Sequence, residues 1–396
     1  MRMYSSNSTD SCFPSYFYSL DILRGIASLA VVFWHWQHFF FVRGSAANFN
    51  LYEQPLFRIF KHLYLSGWRA VDIFFCLSGF IFFFLYTKKI EDHKMSAKKF
   101  MFLRFSRLYP LHFFTLFLVI GLQYLFYKNF AYYFVYQNDD IFHFLLQLFM
   151  ASNWGFEKSF SFNGPIWSVS VEILCYALFY FLSFYRINRF IIILIFVFFL
   201  TYLLHKHGES HIYRGLLCFF VGGVYFKFFS AFVRSKIKYN KAVVAFFIAL
   251  VLWIVVPIIH ARGGEFYTAY CSKIGSGYLI FPGKSLLGYA AFILSKFSYE
   301  LILFPWTIIT LALSEMYWIK PSKTFAFLGH ISYSSYLLHF PLQIIFVLST
   351  SFFLIDRDFF YSPVSLILFF LCLIPLSLLS YKYFESPIQR YLRNLS

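Results

Sequence analysis

The sequence predicts an all-α polytopic membrane protein with about ten transmembrane helices and both termini in the cytoplasm. Three observations predict it. Of 396 residues, 60% are hydrophobic and 13% charged, with a mean hydropathy of +0.66; a soluble domain carries about 25% charged residues. The apolar residues come in runs of roughly twenty, the length that crosses a bilayer as a helix. The basic residues gather in the loops between those runs, and unevenly.

The first run, residues 20–42, reads LDILRGIASLAVVFWHWQHFFFV and is long enough to span. It is too long for the apolar core of a cleaved signal peptide, and no A-x-A-like site follows it, so it is expected to stay as the first span. The second span, 66–87, has Ser78 and Gly79 interrupting a phenylalanine run, small residues that let helices approach closely. The third, 106–127, opens with RFSRLYP, where Pro110 suits a first turn or kinks the start. Spans follow near 165–185, 190–205, 211–230, 242–260, 298–318, 324–348 and 363–384. Residues 141–151, IFHFLLQLFMA, are too short to cross and read as interfacial. Residues 284–297 read the same way. The Gly-rich outer loop 261–283 is expected to be irregular.

An even number of spans puts both termini on one side, and loop charge says which. The N-terminus, 88–107, 186–189, 227–241, 320–323 and the tail hold 21 of the 34 basic residues, so that set is cytoplasmic. The division is then a cytoplasmic segment 1–19, a transmembrane domain 20–384 and a cytoplasmic tail 385–396. The net charge of +17 follows this loop pattern, which points to an anionic membrane lipid surface or an anionic cytosolic substrate and excludes nucleic acid as partner. The six cysteines are scattered without a C-x-x-C, so neither a disulfide framework nor a metal site is expected. His205, His207 and His211 cluster at one loop with only Glu209 as an acidic neighbour, a poor metal set.

Ionisable residues inside spans are costly and mark candidate sites. Arg24 and His35 lie eleven residues apart, nearly one helical face, about 16 Å along the axis. Arg104 and Arg107, three apart, share a face at the inner start of the third span. Guanidinium forks bind phosphate bidentately. With Arg24 at the same level, three arginines suffice to hold a nucleotide-bearing donor. Glu172 lies about two turns inside the fourth span, and Trp167 and Tyr176 are candidates to line the same pocket. Counted from the outer end, Glu172 and His35 both fall in the outer half. Asp72 opens the second span and is a candidate to orient or acidify an imidazole. His339 sits in the ninth span beside a polar stripe of Ser332, Tyr333 and Tyr336. His38, one turn beyond His35, reads as interfacial.

Six pieces in this order resemble the acyltransferase-3 family of integral membrane O-acyltransferases. They are LDILRGIASLAVVFWH, VDIFFCLSGF, RFSRLYP, IWSVSVE, LGHISYSSYLLHFP and YFESPIQR, spread from about residue 18 to 390. The resemblance implies transfer of an acyl group, most often acetyl, from cytosolic acyl-CoA to a carbohydrate hydroxyl beyond the membrane. It implies that His35 is catalytic, within the family's arginine–x10–histidine motif begun by Arg24. It implies that Arg104 and Arg107 serve the acyl donor and that Glu172 is the acid following the tryptophan. The extracytoplasmic hydrolase-like domain of some relatives has no counterpart here.

The expected activity is therefore a membrane O-acetyltransferase, with acetyl-CoA as donor and no metal. A surface polysaccharide or glycolipid is the acceptor, and the expected location is a bacterial inner membrane. The expected site comprises His35, Glu172 and Asp72 for catalysis, Arg24, Arg104 and Arg107 for the donor, and Trp167, Tyr336 and His339 for the acceptor. The competing reading is a proton-coupled transporter, in which intramembrane His and Glu are equally natural. Its paired broken helices and inverted repeats are not seen in the sequence. A structural subunit of an envelope-assembly complex is the third class.

Overall fold

A computed structural model describes residues 13–14, 16–208, 210–235, 239–274, 293 and 295–395, apart from the side chains of 239, 262–274 and 323. In chain order the helices are α1 (Tyr18–Trp34), α2 (Phe57–Ser66), α3 (Ala70–Leu85), α4 (Thr87–Glu91), α5 (Ala97–Phe130), α6 (Ile141–Leu148), α7 (Trp167–Phe184), α8 (Phe190–His207), α9 (His211–Arg234) and α10 (Tyr239–Ile274). After these come α11 (Phe304–Tyr317), α12 (Phe327–His330), α13 (Ser332–Phe352), α14 (Pro363–Leu379) and α15 (Ser386–Asn394). One two-residue hairpin pairs Phe41–Val42 with Ser45–Ala46. The chain is an all-α polytopic membrane protein.

Among the described residues nine helical stretches are long and apolar enough to cross a bilayer. The difference from ten lies at the first run. There the α-helix ends at Trp34 after 17 residues, and His35–Phe40 continue as a tighter 3₁₀ turn. The helix Tyr239–Ile274 runs into the stretch expected to be an irregular loop, as far as the described residues reach. Residues 275–283 and most of the expected interfacial segment 284–297 lie outside the described residues. The expected tail is not loose: α14 passes through a wide turn, Ser380–Glu385, into α15. Glu385 anchors that turn by accepting hydrogen bonds from Ser334 and Ser380.

The expected domain 20–384 divides into two compact units. The first comprises residues 1–20, 72–87 and 187–323. Close helix approach organises it. A Cβ on Gly79 would stand 1.8 Å from the Phe219 carbonyl oxygen, and one on Gly222 2.1 Å from that of Cys76. Only glycine allows the backbones of α3 and α9 this near. Leu200, Leu204, Leu217 and Val221 fill the seam between α8 and α9. Glu315 accepts hydrogen bonds from the Tyr18 and Ser19 amides (2.9 and 2.8 Å), satisfying free N–H groups at the start of α1. Outward faces of α8 and α10 are bare isoleucine, valine and phenylalanine, as lipid contact requires.

The second unit comprises residues 21–71, 88–186 and 324–396. Its core gathers Trp36, Phe39, Phe126, Phe134, Phe340, Phe360 and Phe369. Polar clamps hold the irregular segment 131–163 where apolar packing alone leaves backbone groups unpaired. The Gln123 amide donates to the Phe134 carbonyl and accepts from its N–H (3.0 and 2.8 Å). His112 donates from Nε2 to the Gln147 carbonyl at 2.7 Å. Asp140 caps the short helix α6, accepting from the His143 amide and ring Nδ1, both at 2.8 Å.

Candidate active site

Within the second unit a chain of hydrogen bonds ends on His35. The α-helix α1 gives way to a 3₁₀ turn at His35, and the Gln343 side-chain amide donates to the His35 carbonyl at 2.8 Å. A carbonyl so engaged needs no intrahelical partner, so the change of pitch costs no hydrogen bond. The same Gln343 presents its oxygen to His38 Nδ1 at 3.2 Å. His38 is buried, not interfacial as its position at the end of an apolar run suggests.

His35 Nδ1 lies 2.8 Å from His339 Nε2. The two rings are 9° from parallel with centroids 4.9 Å apart, an edge-to-edge arrangement. His339 Nδ1 lies 2.7 Å from the Tyr336 carbonyl oxygen. A carbonyl oxygen only accepts, so His339 Nδ1 carries the hydrogen. In a neutral ring Nε2 is then the acceptor, so His35 Nδ1 donates to it. The His35 Nε2 atom is left with its lone pair. His339 is fully buried, whereas His35 keeps part of its surface accessible.

Helix α13, which carries His339, is continuous but lacks one interior backbone hydrogen bond. Pro341 lacks the N–H that would bond the Leu337 carbonyl. Asn163 supplies the missing donor, its Nδ2 standing 3.1 Å from that oxygen. The Tyr336 hydroxyl donates to the Pro165 carbonyl (2.8 Å) and takes a hydrogen bond from Ser168 (2.8 Å). Tyr336, expected to bind acceptor, thus ties the Gly164–Ile166 turn to α13. Trp167 is half-buried at the start of α7, its ring 6.4 Å from that of Phe160.

The arginines form a second group in the same unit. Arg24 makes a 2.8 Å ion pair with Asp21, one turn before it. Arg24 is also within electrostatic range of Arg107, Glu172 and Tyr176. Tyr176 hydrogen-bonds Glu172 and lies in range of both Arg104 and Arg107. Arg104 is buried. The structure thus brings Arg24, Arg104, Arg107 and Glu172 together. Glu172 lies in range of Arg24, where a partly buried carboxylate gains from the cation, and also in range of Tyr336. Arg24 remains eleven residues from His35, about 16 Å along the helix.

Asp72 is placed elsewhere. It belongs to the first unit, where its two oxygens accept from Arg214 Nε and Nη2, both at 2.8 Å. The same guanidinium reaches Glu300 at 2.7 Å. Glu300 sits on a widened turn, Tyr299–Leu303, whose Leu301 carbonyl is taken by the Tyr225 hydroxyl at 2.9 Å. The carboxylate of Asp72 is engaged by this bidentate pair. Among the described residues no group of three or more His, Cys, Asp or Glu side chains is arranged to hold a metal ion. Glu209, of the histidine-rich loop, lies outside the described residues.

Asp21 and Gln343 escaped the sequence reading, although both were visible. Asp21 stands three residues before Arg24, and Gln343 four after His339, in otherwise apolar runs.

The acyltransferase domain model of the acyltransferase-3 proteins matches residues 17–381, nearly the whole chain. The chain belongs to the acyltransferase-3 family. The matched model is that of an acyltransferase domain. The chain is 35% identical over 99 residues to "Protein 2 in picA locus" of Rhizobium radiobacter, a stretch that is 25% of this chain and 41% of that protein. The chain thus spans about two fifths of the length of the curated relative it matches. No solved structure matches it.

Proposed function

We propose that this acyltransferase is an O-acetyltransferase that takes its acyl group from cytosolic acetyl-CoA. The acceptor is a hydroxyl of an extracytoplasmic or membrane-linked carbohydrate, a surface polysaccharide or a glycolipid, and the location is a bacterial inner membrane. His35 is the general base. The observation that carries the reading is the hydrogen-bond chain from the Tyr336 carbonyl through His339 to His35 Nδ1. A lone pair held on Nε2 of a residue that is not closed off entirely is what abstraction of a hydroxyl proton requires.

The phosphates of the donor bind Arg24, Arg104 and Arg107, with Glu172 and Asp21 offsetting part of their charge before the donor arrives. The thin pantetheine arm covers the roughly 16 Å from that level to His35. The acceptor hydroxyl gives its proton to His35 Nε2 as its oxygen attacks the thioester carbonyl. The new C–O bond forms and the C–S bond breaks. The imidazolium returns the proton to the departing thiolate. His339 accepts from Nδ1 throughout and so holds the reactive tautomer. A general base contributes about 10²–10⁴-fold, and bringing the two substrates together supplies much of the remainder.

The test is transfer from acetyl-CoA by purified protein in vesicles. His35→Ala is expected to lower kcat by 10² or more with donor binding retained. Wild-type turnover by a correctly folded His35→Ala protein would remove the assignment.

A further inference from the structure

The second unit holds a cavity of about 720 Å³ that the scheme above does not use. It lies where α5 begins and α7 ends, and its walls include His93, Met101, Ala177, Tyr180, Phe184 and Tyr185. The Tyr180 and Phe184 rings are 21° from parallel at 6.0 Å, and the His93 ring meets Phe184 edge-on at 4.9 Å. The Tyr180 hydroxyl donates to the Met95 carbonyl at 3.0 Å, which fixes that ring in the wall. Lys94, Lys98 and Lys99 flank the lining residues in sequence and are exposed.

The cavity continues the arginine site along both helices that form it. On α7, Glu172, Tyr176, Tyr180 and Phe184 follow at four-residue steps of about 6 Å, each turned about 40° from the last, so that successive members are neighbours on the helix surface. On α5, Ala97, Met101 and Arg104 share a face by the same rule. One end of this seam is the phosphate-binding guanidinium group. The other is a flat-walled aromatic slot with a lysine fringe.

We infer that this slot is the nucleotide-base subsite of the acyl-CoA donor, with the fringe lysines taking the ribose phosphate. The inference rests on the donor assignment above and names where the far end of that donor goes. Every base has a π-face that stacks on aromatic side chains. A volume of several hundred Å³ with mostly apolar walls suits a small planar ligand. Lysine is a point charge for phosphate where no bidentate geometry is demanded. An anionic lipid is the other occupant with matching charge. The continuity with the arginines favours the nucleotide, because a ligand with a base at one end and phosphates next to it needs both in one line.

The test compares acetyl-CoA with acetyl-pantetheine, the same thioester without the nucleotide, as donors for the full-length protein in vesicles. Two variants act in opposite ways: Phe184→Ala removes a wall, and Ala177→Trp fills the slot. Both are expected to raise the KM for acetyl-CoA about tenfold, leave its kcat within twofold, and leave acetyl-pantetheine kinetics unchanged. Equal KM changes for both donors, or none for either, would overturn the subsite. A KM change that vanishes in vesicles lacking phosphatidylglycerol would overturn it in favour of a lipid. Wild-type protein that transfers from neither thioester would instead sink the donor assignment itself.

Discussion

His35 and His339, 304 residues apart in sequence, share one hydrogen bond of 2.8 Å that sets which nitrogen of His35 is free to accept a proton. Because His339 is itself fixed by the Tyr336 carbonyl, the arrangement is directional. Replacing His339 by Leu is expected to lower kcat about 10²-fold or more while the KM for acyl-CoA stays within threefold. His339→Gln keeps an acceptor for Nδ1 and is expected to recover part of that loss. Steady-state kinetics with both substrates varied separates these outcomes, and equal activity of the Leu and Gln proteins would show that the bond does not hold the tautomer.

Arg104 and Arg107 are expected to behave in the opposite sense. A hydrogen bond to a charged group is worth about 1.5–3 kcal/mol. The double change Arg104→Ala with Arg107→Ala should therefore raise the KM for acyl-CoA by tenfold or more, with a smaller fall in kcat. Lysine at either position restores charge but not the planar fork, so recovery should be partial. A donor KM unaltered by the double change would take both arginines out of the donor site.

Arg214 forms ion pairs with two carboxylates, those of Asp72 and Glu300. Removing one partner of a buried ion pair costs about 3–5 kcal/mol, because the other charge is left uncompensated. Arg214→Met is expected to lower the Tm of the purified protein sharply, and adding Asp72→Asn should return part of it. Asp72→Asn alone should act on stability, with kcat per folded molecule unchanged. Differential scanning fluorimetry in detergent measures the first, and a loss of kcat at full folded yield would restore Asp72 as a catalytic candidate.

Gly79 and Gly222 stand where α3 and α9 come closest, with 1.8 and 2.1 Å available to a Cβ. Alanine at either position forces the backbones apart. Each single change is expected to cost about 1–3 kcal/mol of stability. A Tm equal to wild type for Gly79→Ala would mean that the two helices can separate without penalty.

Asp139, in the irregular segment between α5 and α6, has its carboxyl pushed up to about 7, chiefly by burial. A 2.6 Å hydrogen bond from the Phe162 amide opposes that shift. An acid whose pKa rises on folding keeps its proton in the native state and loses it in the unfolded state. Its contribution therefore declines as pH rises from about 4 to about 7 and is level above that. The span between the two values corresponds to a few kcal/mol. Asp139→Asn should flatten the Tm profile over that window. An unchanged slope in the variant would show that another group titrates there.

Composition and the positions of charge were enough for the helical membrane class, because each span must be apolar on its own and satisfy its own backbone. Local spacing also brought out pairs on one helix. The three-residue step from Arg104 to Arg107 and the small pair Ser78–Gly79 are written in single stretches of sequence, and at Gly79 the packing shows the close helix approach that a small residue allows. Relationships between helices were not written there. Periodicity puts His35 on a face and Glu172 on a face but does not say which faces meet, since that depends on how helices slide and rotate against one another. Only the fold decided that Glu172 sits with Arg24 and Arg107, that Asp72 turns to Arg214, and that the proton on His35 is directed by a ring in α13. The physical reason is that a polar group buried away from water takes whatever partner packing brings within about 3 Å, and packing is a property of the whole assembly of helices.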